Sequence, residues 1–311
     1  MPITPSDIRN SVLLSVAAVA AGILMLNANA TVIAIPAVAF GLGWITYRFG
    51  APQAAVVALT AGVVVSVLGP SLFGTTVMDG VYVAVCLLAA GPVSATLLRR
   101  YPAVNVAAGI SLVITAAFLA APAGAATVSS TLQLMRDMGA SGANTSAATL
   151  AAGVSLIATI MPTIVFYQMG LGVAIGVALT ARAGRILGQQ VNRYGALADL
   201  DLTFHLVWPT IAGLALVAAG TLWSKAPVLL GQIGTNALLM VRPLLFLQGV
   251  AVFSALYRRM GAGKIAKTVG LALLTLTEFF IPSVSVVGLA DLFANLRRLA
   301  RGQEVAPGRV A

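Results

Sequence analysis

Residues 11–47 read SVLLSVAAVAAGILMLNANATVIAIPAVAFGLGWITY, without one charged side chain. An apolar run of roughly 18 residues or more marks a membrane span, because about 20 helical residues cross about 30 Å of hydrocarbon. This stretch is long enough for two, placed at about 11–27 and 30–48. Lipid offers the backbone no hydrogen-bond partners, and a helix satisfies its own N–H and C=O groups. A barrel facing lipid would instead show short alternating segments. The stretch therefore predicts helices, and the rest of the chain repeats its pattern.

Of the 311 residues, 59% are hydrophobic and 8% charged, where a soluble domain carries about 25% charged residues. Between Met78 and Leu98 the only ionisable side chains are Asp79, Tyr82 and Cys86. The net charge of +10 does not indicate nucleic acid, because the basic residues sit in short loops between apolar runs and form no basic domain. Cys86 is alone in an apolar run, which argues against a disulfide or a cysteine metal site within one chain. Val12–Leu26 followed by Ala28-Asn29-Ala30 has the form of a signal peptide. Its basic flank is weak, Arg9 being offset by Asp7, and an uncleaved first helix is the expected reading.

Further spans are read at about 52–69, 77–98, 103–122, 152–182, 205–223 and 227–257. The prediction is an all-α polytopic transmembrane bundle of about eight spans, one membrane-embedded domain over 1–311. Residues 1–122 hold five spans, 123–151 an outer loop with a short interfacial helix around Thr131–Met138, 152–301 the C-terminal spans, and 302–311 a tail. A cytoplasmic N-terminus puts Arg9, Arg48, Arg99, Arg100, Arg182, Arg185, Arg193, Arg258, Arg259, Lys264 and Lys267 inside, and only Arg136 and Lys225 outside. That bias sets orientation in a bacterial inner membrane.

The last apolar stretch, about 266–296, poses a choice. One span would carry Arg297, Arg298, Arg301 and Arg309 outside. A re-entrant or short hairpin broken near Pro282 would return them to the cytoplasm. Its legs of about 15 residues are roughly 22 Å long at 1.5 Å per residue, and the hairpin is the favoured alternative. Pro36, Pro92, Pro162, Pro209 and Pro243 also lie inside spans, where each removes a backbone donor and bends its helix. Gly170, Gly172 and Gly176 form a small-residue face for close helix contact.

Arg242 lies at the centre of the run Pro227–Tyr257. A charge there costs at least roughly 2.5–3.5 kcal/mol by insertion scales, so it should face a cavity or a partner. Thr235 lies seven residues earlier on the same face. Glu278, flanked by Thr275 and Thr277, is the natural counter-ion. Arg242 and Glu278 are expected to meet inside the bundle, either as a structural ion pair or as part of a substrate or ion site. Asp79 reads as a helix cap or an entrance group. The single histidine, His205, has no second histidine or carboxylate-rich cluster to make a metal site. P-loop, G-x-S-x-G and H-E-x-x-H motifs are absent, so no cofactor and no nucleotide-driven chemistry is expected.

The C-terminal third adds a resemblance. Arg242-Pro243 followed by Leu247-Gln248-Gly249-Val250-Ala251-Val252 resembles a helix of the YybS-like membrane proteins. Gly288 to Arg298 resembles their closing G-x-x-D-x-[FW]-x-[DN]-x-R-[RK] signature, carried here by Gly288, Asp291, Asn295 and Arg297, with Asn295 where an Asp is frequent. Phe204 to Pro209 matches the aromatic-to-proline start of the seventh span. Those proteins are distantly similar to the substrate-capturing subunits of energy-coupling-factor transporters, which borrow an ATPase from partner chains. The first reading is a solute- or lipid-binding, transport-type subunit with membrane lipids as partners, not an enzyme since no paired carboxylates, His dyad or nucleophile constellation appears; the resemblance adds ATPase or other membrane subunits as partners. Arg242, Glu278, Thr235, Thr275 and Gln248 are its candidate site residues. The alternative is a non-transporting scaffold for envelope or division machinery.

Overall fold

The computed structural model describes residues 13, 16–18, 20–25, 28–141, 147–191, 197–202, 204–223 and 227–297. Every regular element among them is helical. The helices are α1 (Val16–Met25), α2 (Ala28–Phe49), α3 (Ala51–Phe73), α4 (Val77–Leu97), α5 (Ala103–Ala120), α6 (Pro122–Ser141), α7 (Ala147–Ile186), α8 (Val207–Leu222), α9 (Val228–Arg259), α10 (Lys264–Phe280) and α11 (Ser283–Ala294). Among the described residues six stretches are long and apolar enough to cross a membrane: Ala51–Leu72, Val77–Leu97, Ala103–Ala120, Ala151–Ile186, Phe204–Leu222 and Val228–Arg259. Among the described residues the first two expected spans show as the shorter apolar stretches Val16–Met25 and Ile33–Phe49, and the bent pair Lys264–Glu278 with Ser283–Ala294 makes a seventh crossing if it is one span.

Segment 123–151 carries a longer helix than the short one expected around Thr131–Met138. It is helical from Pro122 to Ser141 and again from Ala147. Polar side chains suggested a loop, but here they serve the helix. The hydroxyls of Thr127 and Thr131 donate to the carbonyls of Ala123 and Thr127, and those of Ser129 and Ser130 to Ala126 and Thr127. Alanine, the best helix former, fills much of the remainder. Asp79 anchors the start of α6. It closes a capping box with Thr76 on α4, and its second oxygen accepts the Ala123 N–H at 2.9 Å.

The helices form two packed groups. The larger core gathers Ile35, Leu42, Tyr82, Leu87, Ile114, Phe118 and Met169 from α2, α4, α5 and α7. The smaller one gathers Leu202, Val207, Val241, Leu245 and Leu292 from the C-terminal half. Gly176 on α7 packs inward against α2, and the Thr180 hydroxyl donates to Ala39 O at 2.8 Å. One face of the glycine pattern thus serves internal packing.

The ends of α2, α4 and α7 converge. The Tyr47 hydroxyl reaches Ala95 O at 3.2 Å, and Arg99 reaches Gln189. Arg258 at the end of α9 pairs with Asp199 at 2.8 Å. Arg48, Arg99, Arg185 and Arg258 therefore crowd one basic end of the bundle. From that end α10 rises for 17 residues, about 25 Å at 1.5 Å per residue. A 103° turn at Ile281-Pro282 then leads into α11. Contacts along α11 run in register with α9: Ser285 meets Arg242, Asp291 meets Gln248, and Arg297 O accepts from Arg259 at 2.8 Å. Helix α11 thus descends beside α9 and brings Arg297 back to the basic end. The last apolar stretch is a pair of helices bent by 103°.

Candidate functional site

Pro243 and Pro162 create the local geometry of the site. Pro243 lacks the N–H that would bond Leu239 O, and the Tyr167 hydroxyl donates to that carbonyl instead. Pro162 lies in the same stretch of α7 as Thr159 and Thr163. The Asn236 amide inserts there, donating to Thr159 O at 2.7 Å and accepting from Thr163 N at 3.2 Å and the Thr163 hydroxyl at 2.7 Å. These bonds tie α7 to α9 at two points. Below them the walls part, and a cleft of about 770 Å³ opens between α5 and α7 on one side and α9 and α10 on the other. Most of its wall is apolar, with Ala108, Phe166, Leu171, Leu244 and Phe246. A second cavity of about 390 Å³ shares Ala108, Phe166 and Leu244 and continues toward Asn105 and His205.

Arg242 and Glu278 form the charged part of the first wall. The Arg242 Nε donates to Glu278 Oε1 at 3.2 Å, and Nη2 donates to the Glu278 main-chain oxygen at 2.6 Å. The structure thus brings the two expected partners together. The carboxylate does more than neutralise arginine. Its Oε2 accepts the N–H groups of Val284 and Ser285 at 2.9 and 3.1 Å, and Oε1 accepts the Ser285 hydroxyl at 2.6 Å. Glu278 therefore caps the first turn of α11, where an anion is favoured by the unsatisfied N–H groups and the helix dipole. It fixes the turn between α10 and α11. The Arg242 side chain keeps 38% of its surface open, against 10% for Glu278.

The other expected site residues distribute differently. Thr275 lines the cleft, but its hydroxyl turns back to Leu271 O at 2.9 Å. Thr235 is half-buried on α9 outside the cleft wall, where Asn236 beside it makes the polar contacts to α7. Gln248 is fully buried in a separate cluster. It donates to Asp291 at 2.8 Å and to Asp201 at 3.2 Å, and accepts from Leu202 N at 3.1 Å. Asp291 and Arg297 complete that cluster with an ion pair at 2.9 Å, their side chains 0% and 2% exposed. Arg297 also holds the carbonyls of Ala198 and Leu200 at 2.9 and 2.6 Å.

The signature residues thus build one joint. Gly249 and Gly288 let α9 and α11 cross in contact, since a Cβ on Gly288 would lie 1.9 Å from Leu245 O and one on Gly249 would lie 2.0 Å from Val284 O. Asn295 ends α11 in the left-handed conformation, φ 46°, which asparagine and aspartate tolerate better than most residues. This accounts for an Asn or Asp there without an acidic role. Among the described residues no three His, Cys, Asp or Glu side chains gather as a metal site requires.

A family model described as "Predicted membrane protein (DUF2232)" matches residues 11–292. The chain belongs to the DUF2232 family. No curated protein and no solved structure matches it. In this DUF2232 protein the match spans both the cleft and most of the α9–α11 joint. Tyr167, Asn236, Ser285 and Asp201 complete the two polar clusters, and the sequence reading did not single them out. For Tyr167 the available signal was Pro243, since an intramembrane proline frees a carbonyl four residues back and some side chain must supply its donor.

Proposed function

We propose that this DUF2232 protein is a membrane-embedded binding subunit of transport type, and that its site is the cleft at Arg242. The observation that carries this reading is the cleft itself. It is about 770 Å³ in volume, within the roughly 300–1,000 Å³ of ordinary ligand sites, with the Arg242–Glu278 pair in an otherwise apolar wall. The state of Glu278 supports binding over a role as a base, since its oxygens already accept from Arg242, Val284 and Ser285. The basic end lies in the cytoplasm of a bacterial inner membrane by the positive-inside bias. The likeness of residues 200–301 to YybS-like proteins, and distantly to energy-coupling-factor substrate subunits, supports dependence on a partner ATPase.

Ala108→Trp tests the reading, because Ala108 lines both cavities. Wild-type protein isolated in native lipid nanodiscs should carry a bound small molecule that the folded tryptophan variant lacks. Equal cargo in both proteins, or none in either, would reject the cleft as the site.

A further inference from the structure

Resting on the cleft as the binding site, we infer that its ligand is an apolar-tailed anion whose carboxylate or phosphate headgroup docks on the free edge of Arg242. The argument is one of hydrogen-bond bookkeeping around that guanidinium. Glu278 engages Nε and, through its main-chain oxygen, Nη2. Among the described residues nothing engages Nη1, and the side chain is 38% open where it lines the cleft. The Glu278 carboxylate cannot turn further toward arginine, because the first N–H groups of α11 and the Ser285 hydroxyl hold it.

The hydroxyls in the same wall are not alternative donors. Ser111 donates to Ala107 O, Thr275 to Leu271 O and Tyr167 to Leu239 O. Arg242 is therefore the donor this wall presents to an incoming group. It sits deep: 17 residues of α9 separate it from Arg259, about 25 Å along the helix. A partly desolvated cation with one open edge in apolar surroundings selects an acceptor that carries negative charge. The rest of the lining, with Phe166, Leu171, Leu244 and Phe246, suits a hydrocarbon tail. A small hydrophilic anion would leave that surface unfilled.

The probes are dodecyl phosphate, dodecanoate, dodecanol, dodecyltrimethylammonium and inorganic phosphate, each added to the full chain in an uncharged detergent. Retention is read by native mass spectrometry. The two anionic chains should be retained about tenfold or more over dodecanol and the cation, the size of a charge-assisted hydrogen bond. Arg242→Gln should erase that preference and still retain dodecanol. The double variant Arg242→Gln, Glu278→Gln removes both charges, so a folding defect from an unpaired Glu278 does not obscure the result.

Equal retention of all four chains by wild type, or an anion preference that survives in the double variant, overturns the inference. So does retention of inorganic phosphate as strong as that of dodecyl phosphate, which would indicate a free-anion site. If Ala108→Trp abolishes retention of every chain while wild type shows no charge preference, the cleft stands as the site and only the ligand class fails. If Ala108→Trp leaves retention unchanged, the cleft itself fails and the inference with it.

Discussion

Breaking the Asp291–Arg297 pair should cost this protein more than any other single polar change. Asp291 accepts from Arg297 Nε and Nη2 at 3.1 and 2.9 Å, from the Arg297 N–H at 3.3 Å and from Gln248 at 2.8 Å. Both side chains are essentially without exposed surface. Asp291→Asn keeps the shape but leaves the Arg297 charge facing only Asp201, 3.5 Å away and 32% exposed. Removal of one partner of a buried pair typically costs about 3–5 kcal/mol, and Arg297→Met should fall in the same range. In the double variant neither charge is stranded, so its loss should be about 1–3 kcal/mol smaller than the summed single losses. It should not regain wild-type stability, because Ala198 O and Leu200 O still lose their donor. Unfolding in mixed micelles titrated with SDS measures all three. Single variants within about 1 kcal/mol of wild type, or a double variant whose loss equals the sum, would refute the joint as described.

Gly288→Ala should destabilise by about 1–3 kcal/mol or more, since the added carbon meets the Leu245 carbonyl and the Gly249 nitrogen, backbone atoms that cannot rotate away; an unchanged unfolding midpoint would contradict the close crossing. Tyr167→Phe should cost about 1–3 kcal/mol by stranding Leu239 O, freed by Pro243, and thermal melts in detergent check it. Asp79→Ala should cost about 0.5–2 kcal/mol by removing the acceptor of the Thr76 and Ala123 N–H groups while the Thr76 hydroxyl still caps α4; an unchanged melting temperature in detergent would contradict the bridge to α6. A reporter fused after the last residue should be active on the same side of the membrane as one inserted at Gly261, because Arg297 returns to the Arg259 end; opposite sides would refute the re-entrant pair.

Much of the candidate site was legible because hydrocarbon makes charge conspicuous. Arg242 stood out as a cation in the middle of an apolar run, and Glu278 was the acid at matching depth. Their ion pair follows from that scarcity. The capping of α11 by Glu278 was hidden, since it depends on the 103° turn at Ile281-Pro282 bringing Val284 and Ser285 back over the carboxylate. Gln248 was named a site candidate beside Arg242 after the family motif that carries both. Six residues of helical rotation and rise instead give it to Asp291 and Asp201.

The apolar runs alone determined that the chain is helical and membrane-embedded, because an unpaired backbone in lipid is too costly and the constraint acts along the chain, residue by residue. The charged loops and the lone deep arginine belong to the same one-dimensional information. Tertiary structure decided what depends on which helices meet. It anchored the start of the Pro122–Ser141 helix on Asp79, and made a structural joint of the Gln248-Gly249 and Gly288–Arg297 residues. It also opened the cleft between the two packed groups of helices. Lipid is as apolar as the side chains facing it, so hydrophobicity does not select helix neighbours. Small residues, proline-freed carbonyls and buried ion pairs do that, and their partners lie far away in sequence.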